Sequence, residues 1–304
     1  MSPTGPSNRF PNRRDPLTPF APLFLAALFA PAQADTPLSW KLAKGDVFYA
    51  KSATVMKQTI EVRGNKMNQE QDQTTYHKYT VKAAGTDGYV VEQTVLKSEV
   101  KGNLPGTADI AKKMKGVTLT YTMSAKFEVT KVDGYDKFLD ILVGDNAQAK
   151  KQLAAVISED SLKTGVSDLF GLTPAKAVKV GDTWKKETKL GMGPVGDFKI
   201  DADYKFASAA AAGDKVTWKG TAAYAPPKAG GDGPFTVTKG ELKSDKFEGD
   251  FVFDSKAGRM KATTTRAHIA GKLTMSVMGM EVEMDLDQNL TTTTTLSDKN
   301  LADD

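Results

Sequence analysis

The sequence predicts a mainly β fold: antiparallel meander sheets in two similar halves, a sandwich or a half-barrel, with a short helical segment between them. Three observations predict it. From residue 35 onward Thr, Val and Tyr recur with period two, in runs punctuated by Gly and Asp. Two stretches, "AKGDVFYAKS" (43–52) and "VGDTWKKETK" (180–189), each set Gly-Asp, one residue and an aromatic at the head of an alternating run. One block, 131–178, carries helical spacing instead.

The first 34 residues have the pattern of a signal peptide. Arg9, Arg13 and Arg14 precede the apolar run "APLFLAALFAPA" (21–32), and Ala32-Gln33-Ala34 is a small-residue cleavage site. The run is shorter than the ~20 apolar residues that span a bilayer. Cleavage after Ala34 is expected, and an extracytoplasmic location, periplasmic or secreted. Arg13-Arg14 leaves general and twin-arginine export both open. Without 1–34 the chain keeps 38 basic and 36 acidic side chains. A surface so balanced offers no basic stripe for a row of phosphates, which argues against nucleic acid as a partner. There is no cysteine, so disulfides and thiol chemistry are excluded.

The first β half is 35–130. Strands near 46–62 and 67–84 flank the turn "RGNK" (63–66), and "GTDG" (85–88) leads into a strand at 89–100. A loop is expected over 101–116. "VTLTYTMSAKFEVT" (117–130) alternates throughout. It predicts one long strand with Val117, Leu119, Tyr121, Met123, Ala125, Phe127 and Val129 on one face. That face must be buried. Full cover by the helices is the expectation, with a loss of ~3–5 kcal/mol on Phe127→Ala.

The helical connector is 131–178. Its spacing predicts three short amphipathic helices within 133–144, 145–157 and 158–170, N-capped at Asp145 and Ser158 and stopped by Gly171 and Pro174. Each is apolar on one face, so they should lie on a sheet. The second β half, 179–304, has strands at 216–224 and 246–254 and a second long loop at 225–240. At 272–290 the alternation slips at Met278-Gly279. A two-residue turn there pairs Val277 with Met280, Met275 with Val282, Leu273 with Met284 and Lys272 with Asp285; a bulge at Gly279 competes. The order of elements in the two β halves suggests an internal duplication.

"PAKAVKVGDTWKKET" (174–188), after a short-helix run containing "DGYDKFLD" (133–140), resembles an uncharacterised family of bacterial exported β-rich proteins. A looser likeness, carried by "FEGDFVFDSKAGRM" (247–260), is to half-barrel lipoprotein carriers of the bacterial envelope. The first resemblance implies an exported β-rich protein and transfers no site residue. The second implies a sheet wrapped around helices that holds acyl chains.

Motifs for catalysis are missing. There are two histidines, His77 and His268, no H-E-x-x-H, no G-x-S-x-G and no phosphate-cradling G-x-x-x-x-G-K. "DLDQN" (285–289) opens like a calcium loop, but Leu290 and Leu296 stand where Gly and Glu are required. No catalytic residue, metal ligand or cofactor is therefore assigned. Three classes remain. The first is a non-enzymatic exported binding or scaffold protein of the envelope. The second is a carrier of a lipid or other apolar ligand in a curved-sheet cavity. The third is a hydrolase using carboxylates alone. The partner implied is an apolar small molecule or an envelope component. The sequence fixes no oligomeric state, and no membrane-spanning segment is expected. Leu119, Tyr121, Met123 and Phe127, with the hairpin methionines Met275, Met280 and Met284, form the candidate apolar ligand face.

Overall fold

The structure, a computed structural model, describes residues 35–103, 106–191, 195–227, 236–277 and 280–303. The expected signal segment and the turn at Met278-Gly279 lie outside the described residues. Among those described, eleven antiparallel strands form one sheet. They are β1 (Val47–Val62), β2 (Asn65–Gly85), β3 (Gly88–Gly102), β4 (Thr118–Met123), β5 (Val129–Asp133), β6 (Thr183–Gly191), β7 (Asp197–Ser208), β8 (Asp214–Ala225), β9 (Thr236–Asp254), β10 (Arg259–Val277) and β11 (Met280–Ser297). Four helices accompany them: α1 (Thr107–Met114), α2 (Tyr135–Val143), α3 (Ala147–Val156) and α4 (Glu159–Gly171).

The strand order is β5-β4-β3-β2-β1-β11-β10-β9-β8-β7-β6. Every neighbouring pair is consecutive in the chain except β1 and β11. The sheet is thus an up-and-down meander that returns on itself and breaks only between β5 and β6. Its two edges nevertheless lie close together. The N–H of Val129 on β5 donates to Ser167 Oγ at 2.9 Å, and the hydroxyl of Thr188 on β6 donates to Asp168 Oδ1 at 2.7 Å. Ser167 and Asp168 are consecutive residues of α4. Eleven strands laid flat would separate the edges by ~48 Å at ~4.8 Å per spacing, whereas a helix is ~10–12 Å across. The sheet is therefore rolled, and α4 closes its seam. This is the half-barrel alternative, not the sandwich. The seam also protects both edges, which would otherwise present open ladders.

The two Gly-Asp stretches share one construction. Asp46 accepts the N–H of Ala43 on its carboxylate, and Gly45 N and Asp46 O bond Val81 on β2. Asp182 accepts the N–H of Lys179, and Gly181 N and Asp182 O bond Phe206 on β7. Gly45 and Gly181 have φ of 94° and 100°, where a side chain would be strained. Two residues after each Asp, the aromatic stacks on the tyrosine opposite: Phe48 on Tyr79 at 5.0 Å, Trp184 on Tyr204 at 5.5 Å. Their positions in the sheet differ. β1 is central and its Phe48 is 1% exposed, whereas β6 is an edge strand and Trp184 is half-buried.

Three expectations need correction. The run 117–130 is two strands. Ser124 breaks it, its Oγ accepting the N–H groups of Lys126 and Glu128. Phe127 then takes a left-handed φ of 62°, a conformation that costs a non-glycine residue ~1–2 kcal/mol. Stacking on Tyr89 at 4.7 Å and on Phe170 at 6.0 Å compensates for it. The loop expected at 101–116 contains α1, whose pattern is too short to outweigh its Gly and Pro neighbours. The cap of α3 is Asn146, whose Oδ1 accepts from Ala149 N at 2.9 Å, one residue beyond Asp145. Ser158 caps α4 as expected. The β10–β11 register is the one a two-residue turn dictates, from Val277 with Met280 to Lys272 with Asp285.

Candidate functional site

The interior is packed unevenly. Toward β6–β9 it is dense: Phe198, Phe206, Val216, Phe251 and Phe253 are at most 1% exposed. Gly249 faces Trp218 across the ladder, where a Cβ would lie 2.8 Å from the indole, so the ring lies over the glycine. Phe170 of α4 joins this packing to the opposite wall. It is fully buried, 4.8 Å from the Trp40 ring and within 6.5 Å of Phe48, Tyr79 and Phe127. Toward β1–β4, by contrast, the helices do not meet the sheet everywhere. A cavity of about 590 Å³ remains between them.

Two kinds of surface line the cavity. The roof is apolar, made by Ile110 and Met114 of α1, Phe138 and Leu142 of α2, Ile157, and Leu162, Val166 and Leu169 of α4. Val95, Val117 and Leu119 continue it onto β3 and β4. The floor is polar. Ser52, Gln73, Thr263, Thr265 and Thr294 come from the four central strands. In a period-two strand these residues share the inner face with Phe48 and Ala50, so the polar stretch simply continues the core side of the sheet. Ser52 and Thr294 bond each other at 2.8 Å.

Between roof and floor lies a chain of polar side chains. The Tyr121 hydroxyl donates to Gln93 Oε1 at 3.1 Å, and Gln93 Nε2 donates to the Tyr79 oxygen at 2.9 Å. Burial pushes the Tyr79 hydroxyl up to about 12 and that of Tyr121 also well upward. Beside them is His77, largely buried, with its Nδ1 sealed from solvent and unpartnered among the described residues. Burial pushes its pKa down to about 4 from 6.5. Asp168, at the seam, is the one carboxylate of the lining among the described residues. Burial raises its pKa, opposed by the Thr188 hydrogen bond and by Lys186 at 3.8 Å. Burial lowers that of Lys186, whose ammonium also donates to the Gly171 carbonyl at 2.8 Å.

His77 gives the site a pH signature. Its folded pKa lies below its unfolded value, so between pH 6.5 and about 4 the unfolded chain binds a proton that the folded chain refuses. Stability should fall as pH drops through that window, by up to ~3 kcal/mol at ~1.36 kcal/mol per pKa unit. His268 acts in another window. Its pKa is raised by its hydrogen bond to Asp245, so its contribution is complete below 6.5 and is lost as pH rises above it. Urea unfolding at pH 7, 6 and 5 checks this: His77→Phe should remove most of the slope between pH 6.5 and 5 seen in the wild type.

The candidate ligand face is divided. Leu119 and Tyr121 line the cavity. Met123 is buried at 2% exposure but packed in the core beside it. Phe127, in the turn, stacks on aromatics. Met275 and Met284 are half-buried on the inner face of β10 and β11, and Met280 is 62% exposed at the hairpin end. None of the three methionines is among the cavity-lining residues. Sequence reasoning missed His77, Gln93 and the threonine floor. The signal was there: in 73–79 and 292–294 the alternation persists while its inner-face residues turn from apolar to Gln, Thr and His.

The profile of a family of unknown function, DUF6263, matches residues 73–258, more than half of the chain. No curated protein matches the sequence. Among solved structures, lipovitellin, described for its lipid–protein interactions, is similar at a TM-score of 0.47 and 9% identity; the likeness covers 84% of this chain and 25% of that one. The chain thus spans a quarter of the lipovitellin chain. An outer membrane channel from Pseudomonas putida F1 is similar at a TM-score of 0.22 and 7% identity, over 87% of this chain and 100% of that one. A DUF1329 family protein from Desulfovibrio piger is similar at 0.13 and 10% identity, over 80% and 84%. No helix among the described residues is long and apolar enough to cross a membrane.

Proposed function

The chain belongs to the DUF6263 family of unknown function, and because membership brings no activity with it, we propose one from the geometry: a non-enzymatic carrier, working outside the cytoplasm, that holds an amphipathic molecule in the cavity between helices and sheet. The observation that carries this reading is the cavity itself. At about 590 Å³ it falls within the ~300–1,000 Å³ typical of small-molecule sites. A scaffold would close that space by packing, as the chain does toward β6–β9 and as the sequence led one to expect throughout. The division into apolar roof and polar floor suits a ligand with an alkyl chain and a polar head.

The hydrolase reading finds less support. A two-carboxylate mechanism uses a pair of acids ~5–10 Å apart. The cavity lining presents Asp168, which already holds Thr188 by both oxygens, at 2.7 and 2.8 Å. The extracytoplasmic location rests on the leader pattern of residues 1–34.

The test is native mass spectrometry of protein extracted gently from its envelope, followed by organic extraction and titration with a fluorescent hydrocarbon probe. One bound small molecule per chain, or stoichiometric probe uptake after extraction, is the expected result. A chain that carries nothing and takes up no probe would overturn the carrier reading.

A further inference from the structure

Resting on the carrier reading, we infer that the cavity selects an uncharged acyl ester, such as an acylglycerol, over a free fatty acid or an anionic phospholipid. The first support is the accounting of hydrogen bonds at the floor. Gln93 spends its oxygen on Tyr121 and one amide hydrogen on Tyr79. The Tyr79 oxygen therefore accepts, and its own proton remains to be given. His77 lies two residues earlier on the same face of β2, its ring 6.1 Å from that of Tyr79. Its sealed Nδ1 is better left as a bare lone pair than as a buried N–H without an acceptor. That tautomer puts the ring proton on Nε2 of a residue that lines the cavity. The lining thus carries two neutral donors on neighbouring side chains, and a carbonyl or ester oxygen is their natural acceptor.

The second support is charge. No lysine or arginine lines the cavity among the described residues, and the carboxylate of Asp168 does. An anionic head brought here would lose its hydration without gaining a cation, and would face a like charge. His77 is held neutral by its burial and supplies no positive charge near pH 7. Two lysines lie against the lining, and both are committed: Lys186 to Asp168 and the Gly171 carbonyl, and Lys113 to the Leu142 carbonyl.

The experiment measures affinities of delipidated protein at pH 8 for a monoacylglycerol, the free fatty acid of the same chain length and the matching alkane. The ester should bind at least tenfold more tightly than the acid, and more tightly than the alkane. In His77→Phe the ratio of ester to alkane affinity should fall at least fivefold. A merely structural role for His77 would weaken both ligands together and leave the ratio unchanged. If that variant does not fold, the wild-type series alone decides. Alkane uptake without preference for the ester, or an acid bound as tightly as the ester, overturns this inference and leaves the carrier reading intact. Failure of all three ligands to bind overturns both.

Discussion

Phe170→Ala is expected to lower the unfolding free energy by about 3–5 kcal/mol, the range for deleting a fully buried aromatic ring. Phe170 is fully buried and its ring meets four others, contributed by the segment before β1, by β1 and β2, and by the β4–β5 turn. It is also the residue by which α4 is anchored inside the rolled sheet, two positions after the side chain that holds β6. Its loss should therefore loosen the seam as well as open a void. Chemical denaturation gives the first effect, and faster amide exchange at the β5 and β6 edges gives the second. A loss under ~1 kcal/mol would show that α4 is held by its rim contacts alone. The alternation of 117–130 had placed a loss of this size at Phe127. That residue is half-buried in a strained turn, and Phe127→Ala should cost less than Phe170→Ala.

Gly165→Phe should do the opposite, abolishing ligand uptake while sparing the fold. Gly165 lies in the second turn of α4 and lines the cavity, and a Cβ built there meets nothing within 4 Å. Glycine inside a helix is ~0.5–1 kcal/mol less stable than a good helix former. Replacing it removes part of that deficit and puts a ring where the ligand should lie. The expected outcome is an unchanged or raised melting temperature, with uptake of a hydrocarbon probe reduced at least tenfold. Unchanged uptake in a folded variant would move the binding site elsewhere.

The fold was largely legible because its strands obey a period-two rule that tertiary context reinforces. The register of β10 with β11 followed from one phase slip at Met278-Gly279, since a one-residue error there would turn Leu273 and Met284 outward. The break in 117–130 was not legible. Ser124 forms its turn with its own backbone and one hydroxyl, and the side chains on either side of it keep alternating. The site was half legible. Leu119 and Tyr121 belong to a strand whose apolar face had to be covered. His77 and the threonines depend on the rolling of the sheet, which brings β10, β11, β1 and β2 under one roof. No local pattern encodes that. The methionines attracted attention by composition, yet the helices do not extend over their end of the hairpin.

The pairing of β1 with β11 has a kinetic consequence. Ser52 and Thr294, bonded at the middle of the sheet, are 242 positions apart in sequence. Each meander can grow from hairpins whose partners are close in the chain, so the two should assemble early and separately. The join between them closes the largest loop in the molecule and should come last, because long-range pairing carries loop-closure entropy that local contacts do not. Until it forms, β1 and β11 are open edges of matching register, and β11 of one molecule can pair with β1 of another as readily as with its own. Domain-swapped dimers are the misassembly to expect from refolding at high concentration.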